Sequence, residues 1–254
     1  MVTLAKSGIL GFRTAALIAV AAVGLPTSGI AAPIEYVKVC DAFGAGFFNI
    51  PGTDTCTRLS LGAHAGYGAA TTNFKVNPAF DVQGSGFVYG VNGMALFGVA
   101  HTNFAVGPRV GYFGGNLGGS TFYPTSGGTY SVDHKGALYG DVVLQYAPTG
   151  LRGGSLRAFG GLVDTRTQTA YGVLRTFVQQ GSDTSTDIGV TAGAGFNVPI
   201  PAFSGFSVTG EVRWIGGLTQ SFNVPGQVGT NRDIVTGTVG FEYSFGADRQ
   251  VWRW

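Results

Sequence analysis

The chain has 254 residues and a formal net charge of +2, and only 11% of its residues are charged, against about 25% in soluble domains. No basic cluster is present, which excludes nucleic acid as a partner. Beyond residue 31 no stretch approaches about eighteen consecutive apolar residues, which excludes a helical membrane protein. Glycine accounts for 44 residues and aromatic residues for 13% of the chain, a composition typical of a transmembrane β-barrel. A secreted soluble β-sandwich is the alternative, although such domains usually carry more surface charge.

The amino-terminal end has the order of features found in a secretory signal peptide. Lys6 and Arg13 provide a short positive start, Ala15–Leu25 is an uncharged apolar run, and small residues follow up to Ala31. We predict cleavage after Ala31, so that residues 1–31 are the signal peptide and the net charge of the exported chain falls to zero. A membrane-anchoring helix is the alternative, but the apolar run is too short to span a bilayer comfortably.

The next segment, residues 32–57, contains the only two cysteines of the chain, Cys40 and Cys56. An exported protein meets an oxidising compartment, in which disulfides persist. A bridge between these two residues would close a short loop and contribute about 3 kcal/mol of stability. A metal site would need more ligands than two nearby thiols supply, so no metal is expected here.

The part of this segment from Tyr36 to Cys56 carries a family resemblance. It reads YVKVCDAFGAGFFNIPGTDTC, and it resembles the start of mature porins of the alphaproteobacterial porin family. The resemblance implies a general-diffusion porin of the outer membrane, typically a trimer of sixteen-stranded barrels. It also implies a disulfide between Cys40 and Cys56. The chain is too short for sixteen strands, and from Leu59 onward it resembles the small eight-stranded surface-antigen barrels of the same bacteria.

Downstream of this segment, residues that alternate between apolar and polar predict β-strands. The clearest strand begins near Ile188, after which apolar residues alternate with glycine, threonine and asparagine up to Val198. Pro108 interrupts the third strand and predicts a bulge or a wrong boundary, because proline cannot donate to a ladder. A ten-stranded barrel is the alternative, since Tyr171–Val178 could extend or add a strand. The eight predicted strands cover residues 58–68, 85–97, 103–114, 136–146, 155–164, 187–198, 206–216 and 234–245.

The connections between these strands alternate between long polar loops and short turns. Outer-membrane barrels show this rhythm, with long loops outside and short turns in the periplasm. Closing the sheet also removes its unpaired edges. We therefore predict that residues 58–254 form one all-β, antiparallel transmembrane barrel. The predicted long loops are 69–84, 115–135, 165–186 and 217–233, and the residues expected in aromatic girdles are Tyr67, Tyr112, Tyr146, Trp214, Tyr243 and Phe245.

The face opposite the apolar one carries charges of both signs, which predict a paired network inside the barrel, because buried charges are tolerated only when paired. An interior of eight strands is just wide enough for side chains to fill it. Inward glycines would leave room for a narrow passage, so we predict passive diffusion of ions and very small hydrophilic solutes. A sealed structural or surface-interaction barrel is the alternative. The predicted interior charges are Arg58, Arg109, Asp141, Arg157, Glu211, Arg213 and Glu242, and the inward glycines include Gly111, Gly161, Gly189, Gly193, Gly195 and Gly240.

No catalytic motif stands out in the chain. The three histidines, His64, His101 and His134, fall on a predicted strand, a short turn and a loop without a carboxylate cluster. Neither a metal nor another cofactor is therefore expected. Asp133 beside His134 is the one pair that could belong to a hydrolase at the barrel rim, but adjacent residues on a strand point to opposite faces. An enzyme is not expected.

The expected partners follow from the location. Outer-membrane lipid and lipopolysaccharide would surround the barrel, and the barrel-assembly machinery would insert it. The alternating apolar residues of the last strand, Val239 to Phe245, would carry the insertion signal. The tail Gly246–Trp254, which ends in tryptophan, is the alternative signal. An oligomer is compatible with the resemblance to porins.

Overall fold

The computed structural model describes residues 40, 43, 46–49, 55–74, 80–123, 128–148, 154–173, 178–220 and 230–245. All of them belong to one compact unit, Tyr36–Trp254. The predicted signal peptide and the tail Gly246–Trp254 lie outside the described residues. No helix in the described part of the chain is long and apolar enough to cross a bilayer.

The fold is an all-β antiparallel sheet that closes on itself. Each strand pairs with the next in sequence, and β2 also pairs with β9, so that β2 to β9 form a ring of eight strands. This confirms the predicted eight-stranded barrel over the ten-stranded alternative. The strands are β1 (Phe48–Asn49), β2 (Cys56–Phe74), β3 (Phe80–Gly98), β4 (Phe104–Tyr123), β5 (Gly128–Tyr146), β6 (Ser155–Val173), β7 (Val178–Pro199), β8 (Phe206–Gln220) and β9 (Thr230–Phe245).

The barrel strands are longer than the sequence predicted, because strands extend into each of the predicted long loops. The segment 165–186 shows this: β6 continues to Val173 and β7 begins at Val178, so this region extends two strands and adds none. Along β6 the inward Thr165 and Thr167 alternate with the outward Asp164 and Arg166. Both faces are polar there, and a hydrophobic period of two cannot be detected. We call the end of the barrel at these extensions the upper end.

Pro108 does not produce the predicted bulge. It pairs with Val142 on β5 in an uninterrupted register, and its side chain faces outward. The pairing with β3 skips Gly107 and Pro108 and resumes in the same register, since proline cannot donate to a ladder. The register shifts instead between Gly114 and Leu117 on β4, and between His134 and Gly136 on β5. Bulges of this kind bend a strand and redirect its side chains.

The outer surface of the barrel carries an apolar band. On β7 the outward residues from Ile188 to Val198 are apolar, and the outward Thr184 and Thr186 above them are polar. The band faces outward all round the ring with large exposed side chains, as lipid contact requires. Aromatic pairs lie at its lower edge, including Phe104–Tyr146 and Phe206–Tyr243, with ring centroids 4.9 and 5.0 Å apart.

The boundary between the band and the polar extension predicts how two substitutions on β7 will differ. Val190→Arg should cost about 2–4 kcal/mol of folding free energy in liposomes, because it places a charge in the bilayer. Thr184→Arg, on the same face of the same strand but above the band, should cost much less. Urea titration of the tryptophan fluorescence of liposome-folded protein measures both. Equal losses for the two variants would mean that the band is wrongly placed.

Candidate functional site

The interior of the barrel is the candidate site, and a cluster of three charges occupies its lower part. The Glu242 carboxylate accepts hydrogen bonds from Arg157 Nη1 and Nη2 at 2.6 and 2.9 Å and from Arg58 Nη2. Arg58 Nε also donates to Ser244 Oγ at 2.9 Å. All three charged side chains are almost fully buried, with exposed fractions of 2 to 3%. Two arginines thus share one carboxylate, which forms the lower charge cluster.

Described residues of the amino-terminal segment pack against inward side chains in the lower part of the barrel. The described residues of this segment, Cys40, Phe43 and Gly46–Asn49, are called the plug segment here. Gln145 Nε2 donates to the Phe43 carbonyl oxygen at 3.1 Å, and Gln145 Oε1 accepts from Arg157 Nε at 3.1 Å. The plug segment is thereby connected to the lower charge cluster.

Two further features hold the plug segment in place. A disulfide joins Cys40 to Cys56 at the start of β2, which confirms the pairing that the porin resemblance implied. Gly46 has a φ of +88°, and a Cβ at this position would lie 2.7 Å from the Cβ of Ser244. Only glycine suits this backbone conformation at so close an approach.

A second group of charges, the middle charge cluster, consists of Arg109, Asp141, Glu211 and Arg213. Asp141 Oδ2 accepts from Arg109 Nη2 at 2.7 Å and from Arg213 Nη2 at 3.0 Å. Arg109 Nη1 also donates to Glu211, and Arg213 Nη1 donates to Thr191 Oγ1 at 3.0 Å. Two guanidinium groups therefore meet two carboxylates, and the cluster is balanced in formal charge.

Aromatic rings fix the two arginines of the middle charge cluster from the sides. The guanidinium carbon of Arg213 lies 3.9 Å from the centre of the Tyr139 ring, and that of Arg109 lies 4.1 Å from the centre of the Phe159 ring. Such contacts stabilise a desolvated cation. Tyr139 belongs to an apolar cluster above, and Phe159 to one that includes Phe43 below. The charges are thus enclosed between two apolar layers.

The upper apolar layer crosses the interior above the middle charge cluster. Leu117, Ile215 and Ile234 are no more than 1% exposed. Every barrel strand except β7 contributes to it. This apolar layer was not predicted from the sequence. Its members are Ala70, Val88, Phe113, Leu117, Ala137, Tyr139, Val163, Ile215 and Ile234.

A third polar group, near the upper end, was missed from the sequence. Arg232 donates from Nε to Thr72 Oγ1 at 3.2 Å and also bonds to Thr167 Oγ1, which lies 3.2 Å from His134 Nδ1. His134 was assigned to a loop, but it is an inward residue of β5 and is buried. Arg232 also fell in a predicted loop. The alternation of inward Thr165, Thr167 and Thr169 on β6 was the available signal.

The inward glycines do not leave an open passage at the level of the rings. A Cβ on Gly111 would lie 2.4 Å from Cζ of Tyr139, and a Cβ on Gly193 would lie 2.5 Å from Cζ of Phe159. At Gly161 the obstacle is the carbonyl oxygen of Gly140, 2.0 Å away. Rings and neighbouring strands occupy this room, so these glycines permit close packing.

A small part of the interior is less tightly filled. His64, Asn92 and Thr238 point inward from β2, β3 and β9, yet they are only partly buried. The side chain of Glu211 is 12% exposed, the most of any member of the two charge clusters. His64 Nδ1 lies 3.4 Å from Asn92 Nδ2. His64, Asn92, Thr238 and Glu211 line a polar, partly exposed part of the interior opposite the Tyr139 and Phe159 rings. We call it the half-open polar wall.

All seven charges singled out from the sequence point into the barrel, where they form two groups. Gln145, Ser244 and Thr191 complete these groups and were not predicted. Within the described residues, no group of three or more histidine, cysteine, aspartate or glutamate side chains could hold a metal ion. The geometry of the clusters is that of charge pairing, with no nucleophile aligned to a base.

Comparison with known proteins finds similarity in the amino-terminal part of the chain. A family model described as "Porin subfamily" matches residues 27–85. Porin Omp2a of Brucella ovis is 49% identical over 59 residues, which is 22% of this chain and 16% of that protein. Outer membrane protein IIIA of Rhizobium leguminosarum is 47% identical over 49 residues, 19% of this chain and 12% of that protein. The chain thus matches less than a fifth of the length of these relatives.

Comparison with solved structures aligns outer-membrane proteins with 74% of this chain. A major outer membrane protein from Thermus thermophilus aligns with a TM-score of 0.41 at 12% identity, covering 74% of this chain and 99% of that one. Neisserial surface protein A aligns with a TM-score of 0.36 at 12% identity, covering 74% and 97%.

The sharing of one carboxylate by two arginines predicts a large effect at Glu242. Glu242→Gln keeps the shape but leaves Arg58 and Arg157 without their shared counter-charge, and should cost about 3–5 kcal/mol of unfolding free energy. Glu211→Gln should cost less, because Arg109 keeps Asp141 and Glu211 is partly exposed. Urea unfolding of the detergent-folded protein measures both. A loss at Glu211 as large as that at Glu242 would contradict this ranking.

Proposed function

We propose that this chain is a barrel whose interior is closed in the resting state and whose role is structural or at the cell surface. It is a porin-related β-barrel of the Gram-negative outer membrane. The observation that carries the closed state is the upper apolar layer. The narrow pore favoured by the sequence becomes the second candidate.

The closed state follows from what an ion would have to cross. Apart from the Tyr139 hydroxyl, the side chains of the upper apolar layer offer no polar group to replace water around an ion, and such desolvation is costly. Below it, the middle charge cluster and its rings fill an interior that is narrow for any eight-stranded barrel. The plug segment lies in the lower part of the barrel, where Phe43 packs with Leu96 and Val143. Together these three features favour a sealed interior, and the upper apolar layer is the main barrier to ions.

The porin-like segment supports common ancestry with porins. We infer that it has a different role in this chain from its role in porins. It supplies the plug segment and the disulfide, while the ring behind it has eight strands. Common ancestry alone is therefore no evidence that this chain supports general diffusion. We also propose that the protein is not an enzyme: Asp133 points away from the interior in which His134 is buried, so this pair cannot act on one substrate.

A narrow passage for ions is the second candidate because of the half-open polar wall. His64, Asn92 and Thr238 keep some exposed surface inside the barrel, and Glu211 faces the same region. Fluctuation of the upper apolar layer could join this region to the exterior. Ions would then pass Glu211, and cations would be preferred.

Single-channel recording in planar bilayers separates the two candidates. We expect no steady current from the wild-type protein, and none from Arg109→Ala combined with Arg157→Ala, since both apolar layers remain. Replacing Leu117 and Ile215 together by serine should produce small current steps, because it makes the upper apolar layer polar. Heat-modifiable migration on gels confirms that each variant is folded.

Steady sub-nanosiemens steps from folded wild-type protein would overturn the sealed interior. In that case Glu211→Lys should reverse the ion preference if the passage follows the half-open polar wall. A general-diffusion porin recorded in the same bilayers serves as the positive control for insertion. Large steps from the wild-type protein would show that the chain assembles into a wider pore than one eight-stranded ring provides.

A further inference from the structure

A groove on the outer surface of the barrel is lined by the two outward-pointing positive charges of the described residues. Seven lysines and arginines lie in the described residues, and Arg58, Arg109, Arg157, Arg213 and Arg232 point into the interior. The remaining two, Lys135 and Arg166, point outward and line the same groove. We call it the outer groove; it has a volume of about 350 Å³ and is lined by Tyr112, Lys135, Gly136, Ala137, Leu138, Asp164, Arg166 and Thr186.

A β-bulge brings the two cations together. The register between β5 and β6 shifts between His134 and Gly136, which leaves Lys135 as the extra residue and directs it outward. Arg166 pairs with Gly136, the residue that follows Lys135. Without the bulge, Lys135 would not share an outward face with Leu138, three residues later. The cations therefore occupy neighbouring positions on adjacent strands.

The floor of the outer groove is apolar, and the absence of a side chain at Gly136 leaves the groove unfilled. Leu138 and Tyr112 are exposed, and both belong to the top of the apolar band. The Tyr112 ring lies across Gly136, where a Cβ would approach its hydroxyl oxygen to 2.4 Å. A larger residue at position 136 would displace the ring and fill the groove. The groove thus joins an apolar floor to a charged rim at the upper boundary of the band.

The charges on the rim fit a phosphate group. Lys135 forms an ion pair with Asp133, whereas Arg166 has no ion pair among the residues that the structure describes. An arginine guanidinium binds phosphate through two parallel hydrogen bonds, and a lysine can add a point charge beside it. Asp164, two residues from Arg166 on the same face of β6, also lines the groove, and its carboxylate can accept hydrogen bonds from hydroxyl groups of a ligand.

We propose that the outer groove binds the phosphorylated sugar headgroup of an outer-leaflet glycolipid. Its phosphate would lie between Lys135 and Arg166, a sugar hydroxyl would donate to Asp164, and the first part of an acyl chain would lie on Leu138 and Tyr112. The inference rests on the proposed outer-membrane location with the upper end outside. A free phosphate ion would use the two cations but would gain nothing from the apolar floor.

Native mass spectrometry of the folded full-length protein in detergent tests this site. The probes are lipid A with both phosphates, the same lipid A without phosphates, and inorganic phosphate. We expect the wild-type protein to bind the phosphorylated lipid at least about tenfold more tightly than the dephosphorylated one. K135Q combined with R166Q should remove this preference, and inorganic phosphate at millimolar concentration should not compete.

A charge-matched variant is the control. N73D combined with Q83E lowers the net charge by the same amount on β2 and β3, also above the apolar band, and should keep the preference. Equal binding of both lipids by the wild-type protein, or an unchanged preference in K135Q/R166Q, would overturn the site. Competition by inorganic phosphate would replace it with a simple anion site. Each variant must migrate as a folded barrel, so failure of the barrel itself is recognised separately.

Discussion

Charges enclosed by a narrow barrel must be neutralised within it, and this constraint organises the whole interior. Eight strands leave no room for bulk water, so each arginine that enters has to meet a carboxylate, a ring face or a hydroxyl. Glu242 serves two arginines, and Asp141 serves two more. Strands far apart in sequence are held in one register by these contacts, because Arg58 and Glu242 lie at the two ends of the barrel sequence. A slip of one residue would turn these charges toward lipid.

The same constraint explains why apolar layers lie above and below the middle charge cluster. The faces of the Tyr139 and Phe159 rings contact the arginines, and each ring is also a member of one apolar cluster. The faces of such rings let a cation lie directly against an apolar cluster. The plug segment completes the arrangement from below, since its Phe43 joins the lower apolar cluster and its backbone joins the lower charge cluster through Gln145.

The sequence was informative wherever one face of a strand meets lipid. The alternation of Ile188, Val190 and their successors located β7, and the seven interior charges could be assigned to the inward face. It failed above the apolar band, where Thr167 and Arg166 alternate without a change in hydrophobicity, and so β6 was ended too early. Arg232 and His134 were lost for the same reason. The apolar layer was also missed: inward Ile215 follows outward Trp214, inward Ile234 precedes outward Val235, and a polarity pattern cannot show which face an apolar residue takes.

The seam between β2 and β9 has a consequence for synthesis and turnover. It runs from Leu59 opposite Phe245 to Phe74 opposite Thr230. The first barrel strand, β2, can therefore be paired along this edge only after the last strand, β9, has been synthesised. Contacts of such long sequence separation form slowly. Until β9 arrives, the whole edge of β2 offers unpaired backbone groups to any other strand. A chain cut short by a premature stop codon would keep that edge open permanently. Periplasmic proteases and chaperones could therefore distinguish finished from unfinished copies by this edge alone.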